Sequence, residues 1–171
     1  MKTLILFLSS SLFCGSAFAA PSAHREHGAH VHGSAELGIA FDQGVGKMDF
    51  KSPADSIVGF EYKPTKPADK KKLASTLVNF EAQVAQMLVF EPSLHCVFTK
   101  QKLEPVYEAE GHGDFVAEFS VHCDKSPAGT TLTFNFQKFY PRLKDVDAQV
   151  VVGDLQKSVE IKTNGQLLEL K

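Results

Sequence analysis

His30-Val31-His32-Gly33-Ser34-Ala35-Glu36-Leu37-Gly38-Ile39-Ala40-Phe41 sets the period on which the fold is built. Val31, Ala35, Leu37, Ile39 and Phe41 recur on alternate positions, while His30, His32, Ser34 and Glu36 stand between them, the two-residue repeat of a half-buried strand. Such a strand sends two imidazoles and a carboxylate to one face. The loop Asp42-Gln43-Gly44-Val45-Gly46 then turns the chain, and Met48 and Phe50, alternating with Lys47, Asp49 and Lys51, form the returning strand of a hairpin.

Beyond the hairpin, Ser52-Pro53 suits the start of a short helical turn. After Pro67 the period changes: Leu73, Leu77, Phe80, Val84 and Leu88 repeat at three and four, so residues 68 to 90 read as an amphipathic helix stopped by Pro92. Lys70, Lys71 and Lys72 are its solvated first turns. From Leu94 the period of two returns, through Leu94, Cys96 and Phe98, then Phe115 to Cys123, then Leu132, Phe134 and Phe136. Later strands cover Val146 to Val152, Val159 to Lys162 and Leu167 to Leu170, with Asn164-Gly165 as a turn between the last two, and Phe139-Tyr140-Pro141 reads as a turn or short helix. The pattern predicts an α+β fold: a single domain, mostly antiparallel β-sheet packed on one long amphipathic helix, with one disulfide.

Residues 1–19 have the form of a secretory signal, with Lys2, an apolar run from Leu4 to Phe13, and Ala17-Phe18-Ala19 before a cleavage point at Ala20. Phe13 before Cys14 argues against lipoprotein processing. Residues 20–29 read as a loose histidine-bearing lead and residues 30–171 as the folded domain. No later stretch reaches the roughly 20 apolar residues of a membrane helix. With 18 Lys plus Arg against 20 Asp plus Glu, net −2, and no basic face, nucleic acid is a poor partner. The chain is long enough to bury a core without help from a metal. Of three cysteines, Cys14 falls in the leader, leaving Cys96 and Cys123. An even pair in an exported protein reads as a disulfide, stabilising by about 3.5 kcal/mol in the chain-entropy estimate, with a cysteine-containing metal site as the alternative.

His24, His27, His30 and His32 are four of the seven histidines and fall within nine residues. Imidazole is the commonest metal-binding side chain, so the cluster points to zinc, with copper(II) also suited to nitrogen ligands. The scarcity of methionine argues against a copper(I) carrier. His30 and His32, roughly 6.6 Å apart on a strand, can share one ion if a further ligand arrives, and solvated histidines on a wet face are the plain alternative. His24 and His27 precede the strand and can collect metal transiently. On the strand ending at Cys123, Glu118, Ser120 and His122 face away from the apolar side. If the two cysteines lie opposite each other, His95 and His122 become diagonal neighbours. His112 sits among Glu108, Glu110 and Asp114 between glycines, a loop able to pass a cation onward or simply a solvated hairpin tip. Glu36 and Glu61 are outer candidates, as ligands or as acceptors that orient an imidazole.

Taken together, His30-Val31-His32-Gly33, Ala35-Glu36-Leu37, Val58-Gly59-Phe60-Glu61 and the late Cys96 and Cys123 make the chain resemble the ZrgA-type zinc-regulated periplasmic proteins of Gram-negative bacteria, over the whole of residues 20–171. The resemblance implies a periplasmic zinc-binding protein, made under zinc shortage and working beside an ABC-type zinc importer or its binding protein. Where members commonly carry a long histidine- and acid-rich loop, this chain has only Glu108-Ala109-Glu110-Gly111-His112-Gly113-Asp114, and Tyr62 follows Phe60-Glu61 where many relatives have histidine.

Enzyme, binding protein and interaction module make different demands on the sequence. A hydrolytic zinc centre needs three ligands, an open water position and a base, and the chain has no His-Glu-x-x-His motif, nucleophile elbow or Gly-rich phosphate loop. A protein-docking module fits the small α+β pattern but leaves the clustered histidines unexplained. Zinc capture without catalysis is the expectation carried into the structure.

Overall fold

Ala35, Leu37, Ile39 and Phe41 are all buried while Glu36, Ala40 and Asp42 face water, which is the alternation expected of β1 (Ser34–Asp42). A computed structural model describes residues 32–108 and 111–171. The leader, the lead at 20–29, and with them His24, His27 and His30, lie outside the described residues. β1 turns at Gln43-Gly44 into β2 (Val45–Pro53), pairing Leu37 with Phe50 and Ile39 with Met48. Gly44 is required by proximity, because a Cβ there would stand 2.4 Å from the carbonyl oxygen of Cys123.

The strand begins later than the alternation suggested. Gly33 has φ +94°, a conformation that side-chain-bearing residues rarely adopt, so the period of two breaks there and His32 sits in a turn ahead of β1. Pro53 caps α1 (Ala54–Val58), which ends at Gly59 with φ +90°. α2 (Pro67–Met87) buries Phe80, Val84 and Met87 and leaves Lys70, Lys71 and Lys72 in water. It stops three residues short of the expected end, because Leu88 turns extended and Leu88–Phe90 becomes β3. The apolar spacing carries on through Leu88 since that residue is buried in either conformation. Leu94 closes a 3-10 turn at Pro92–Leu94 rather than opening a strand, and Phe136 starts α3 (Phe136–Phe139) rather than ending one.

The remaining strands are β4 (Val97–Tyr107), β5 (Gly113–His122), β6 (Thr131–Phe134), β7 (Asp145–Val152), β8 (Leu155–Ile161) and β9 (Gln166–Glu169). Among the described residues they form a six-stranded sheet in the order β4-β5-β2-β1-β7-β8 and a three-stranded sheet in the order β3-β6-β9. All pairings are antiparallel except β1 with β7, where Leu37 lies beside Ala148. The expected antiparallel-rich α+β domain is therefore present, with a second small sheet and a parallel join added.

Phe80 of α2 is fully buried and meets Phe115 at 4.9 Å, Phe50 at 5.5 Å and Tyr140 at 5.5 Å between ring centroids. Each such ring removed from water contributes roughly 1.5–3 kcal/mol, and among the described residues no histidine lies in the buried core. Cys96 and Cys123, just beyond the Val97–His122 pair that ends the β4–β5 ladder, are joined as the expected disulfide. Among the described residues no helix is long and apolar enough to cross a membrane.

Candidate metal site

The approach to β1 is fixed by its backbone. The Gly33 N–H donates to Ser56 Oγ at 3.1 Å, and the Gly33 carbonyl accepts from Lys144 N at 2.7 Å and Asp145 N at 3.2 Å. His32 is thereby held beside α1, its side chain 58% exposed. α1 closes at Gly59, and the chain runs through buried Phe60 to Glu61, whose side chain is only 22% exposed. Two segments separated by nearly thirty residues of sequence thus bring an imidazole and a carboxylate together, with His32 Nε2 3.9 Å from Glu61 Oε1.

The third group arrives from the β4–β5 hairpin. Its tip is closed by Glu108 N–H donating to His112 O at 2.8 Å and Gly111 N–H donating to Glu108 O at 3.2 Å. His112 Nδ1 then lies 3.0 Å from the same Glu61 Oε1. The approach depends on Gly113, where a Cβ would stand 2.7 Å from both the Glu61 carbonyl oxygen and Tyr107 Cδ1. Alanine at 113 is expected to push the hairpin tip away from Glu61 and weaken zinc binding by about tenfold, the scale of about 1.4 kcal/mol. Calorimetric titration of that variant beside the parent checks this, and equal affinities would show that the tip is not part of the site.

Acidic groups ring this end of the sheet. Asp114, 5% exposed, binds Lys51 Nζ at 2.9 Å. That hydrogen bond raises the Lys51 ammonium above its ordinary range against the opposing effect of burial, and Glu36 and Glu108 add to the rise. Lys51 is accordingly a cation at neutral pH, offsetting part of the negative rim. Glu36 stands opposite Lys51 in the β1–β2 register and directs its charge there.

His122 and His95 occupy other ground. His122 is the last residue of β5, opposite Val45 and Val97, and ten-residue β5 puts it about 30 Å from the His112 end. The cysteines do face each other as the diagonal-neighbour argument required, but His95 has a left-handed backbone, φ 46°, and its Nδ1 lies 2.8 Å from Asp124 Oδ2. Tyr62, at the position where histidine was expected in relatives, donates its hydroxyl to Asp69 at 3.1 Å. The structure therefore brings His32 and His112 together and keeps His95 and His122 apart from them. Glu61, from sequence an outer candidate as ligand or as orienting acceptor, is the residue they share. Its signal lay in the Val58-Gly59-Phe60-Glu61 segment, where a glycine stop aims the next side chain back toward β1.

Among the described residues no group of three or more His, Cys, Asp or Glu is placed so that it could hold a metal ion. The distances are nonetheless those of neighbouring ligands. Tetrahedral zinc with bonds of about 2.0–2.1 Å sets its ligand atoms about 3.3 Å apart, and the two imidazole nitrogens stand 3.0 and 3.9 Å from Glu61 Oε1.

The model of the ZrgA family zinc uptake proteins matches residues 29–170. No curated protein matches the sequence. The match spans His32 and the hairpin that follows it, the Glu61 segment, the His112 tip and both cysteines, and the chain belongs to the ZrgA family of zinc uptake proteins.

Proposed function

We propose that this chain captures zinc in the periplasm and passes it toward an ABC-type importer when zinc is scarce, with Glu61, His32 and His112 as the primary ligands. The reading rests on one observation, the approach of both imidazoles to a single carboxylate oxygen at 3.0 and 3.9 Å. His30, two residues ahead of His32, is the fourth ligand in this proposal, or a water takes that position. The site is exposed on two of its three residues, which suits an ion that must be given up again. The role in this proposal is binding rather than catalysis, with Glu61 serving as a ligand. The export-type leader and the paired cysteines support the periplasm as the compartment.

Calorimetric titration with zinc, and with copper(II) in parallel, tests the proposal. One tight site per chain is expected, weakening steeply as pH falls and the imidazoles take up protons, because only neutral imidazole binds. Zinc binding unaffected by acid would exclude histidine ligation. Chelating the zinc is expected to leave the far-ultraviolet circular dichroism unchanged and to lower the melting temperature only by the lost binding free energy. Unfolding on chelation would make the metal structural and overturn its role as cargo.

A further inference from the structure

A second charged site lies on the other side of Glu61's segment, between α1 and the turn after α3. Lys72 Nζ and Arg142 Nη1 stand 2.6 and 3.0 Å from the point a Cβ on Gly59 would occupy. The two cations are thus within about 6 Å of each other, a separation at which like charges repel even near a protein surface. Among the described residues one carboxylate pairs with them: Asp55 takes Arg142 Nη1 at 2.9 Å. Lys72 makes no ion pair among the described residues, and its ammonium lies over the Phe60 ring, 5.6 Å from the centroid. Gly59 supplies the floor, and its φ of +90° together with the absent side chain keeps the space beneath the two charges open.

The cleft so formed has a volume of about 240 Å³; Ser56 adds a hydroxyl to its lining, Ile57, Val58 and Tyr140 lie mostly buried behind it, and Phe139 and Pro141 supply the accessible apolar wall. We propose that this cleft binds a small organic carboxylate, its charged end bridging Lys72 and Arg142 and its carbon skeleton lying against the apolar wall. A guanidinium fork matches carboxylate geometry, and a bound anion relieves the repulsion between the two cations. Inorganic phosphate meets the charges equally well but leaves the walls unused, so the cleft favours an organic acid over it.

The test uses zinc-free protein, so its outcome is separate from that of the metal site. Titration with glutarate at low ionic strength, followed by calorimetry, is expected to be saturable, with inorganic phosphate at least tenfold weaker. Lys72→Gln is expected to weaken glutarate at least tenfold with an unchanged melting temperature, since Lys72 is exposed and makes no ion pair among the described residues. Arg142→Gln is expected to weaken it similarly, and Lys72→Gln alone carries the conclusion if loss of the Asp55 pair unfolds α1. Absence of saturable glutarate binding, unchanged affinity in Lys72→Gln, or phosphate binding as tightly as glutarate would each overturn the proposal.

Discussion

Alanine at both His32 and His112 is expected to weaken the tightest zinc binding by at least a thousandfold while leaving the metal-free protein as stable as the parent. The first half follows from the share each ligand takes in zinc binding. A four-ligand zinc site supplies about 10–16 kcal/mol, so two ligands account for several kcal/mol and about 1.4 kcal/mol is a factor of ten. The second half follows from exposure: the His32 and His112 side chains are 58% and 53% exposed, and substitutions at such positions change stability by about 0.5 kcal/mol or less. Glu61→Gln is the sharper single change, because it keeps the shape of the side chain and removes the charge that both imidazoles approach. Calorimetry gives the affinities and thermal denaturation in chelator gives the stabilities. Deleting residues 20–29, by contrast, should cost less than tenfold, since the fixed ligands all lie beyond that segment. If the deletion abolishes binding and the double alanine variant retains it, the site at Glu61 is refuted and the histidines of the lead hold the metal.

How much of this could be read from sequence depends on the range of the interaction involved. The alternation from Ala35 to Phe41 and the three-and-four spacing from Leu73 to Val84 are local signals, and both produced the elements they announced. The three-and-four spacing overruns the end of α2 because a helix and a strand bury Leu88 alike. What decides the matter is pairing of Leu88 with Phe134, forty-six positions away, and no local spacing reports that. The parallel join of β1 to β7 and the second sheet are of the same kind. At the site, the histidine types and the hairpin tip were legible, but the strand face proposed for His32 was not there, because Gly33 spends its positive φ on a turn whose value appears only when Ser56 and Lys144 are in place. Glu61 was legible as a candidate and not as a centre. Its role comes from the meeting of three segments, and the two glycines that permit the meeting, Gly59 and Gly113, look in sequence like ordinary loop residues.

The proposed metal site and the disulfide lie at opposite ends of β5, and this separation underlies the other large expected effect. Replacing Cys96 and Cys123 together by alanine is expected to cost about 3 kcal/mol, lowering the melting temperature by about 10 °C. The bond closes a loop of sequence separation 27, so most of its effect falls on the unfolded chain, which regains freedom when the cross-link is gone. The native ends have other restraints: Cys123 N–H donates to Gly44 O at 2.8 Å and Asp124 N–H to Leu94 O at 2.9 Å, so the strand ends should keep their places. Zinc affinity in the variant should therefore equal that of the parent, because the His112 tip is about 30 Å away along β5 and its own contacts are untouched. Thermal denaturation with thiol counting under denaturing conditions makes the first measurement, and zinc titration the second. An unchanged melting temperature would show that the cross-link contributes nothing, and a parallel fall in zinc affinity would show that the two ends of the sheet are coupled rather than independent.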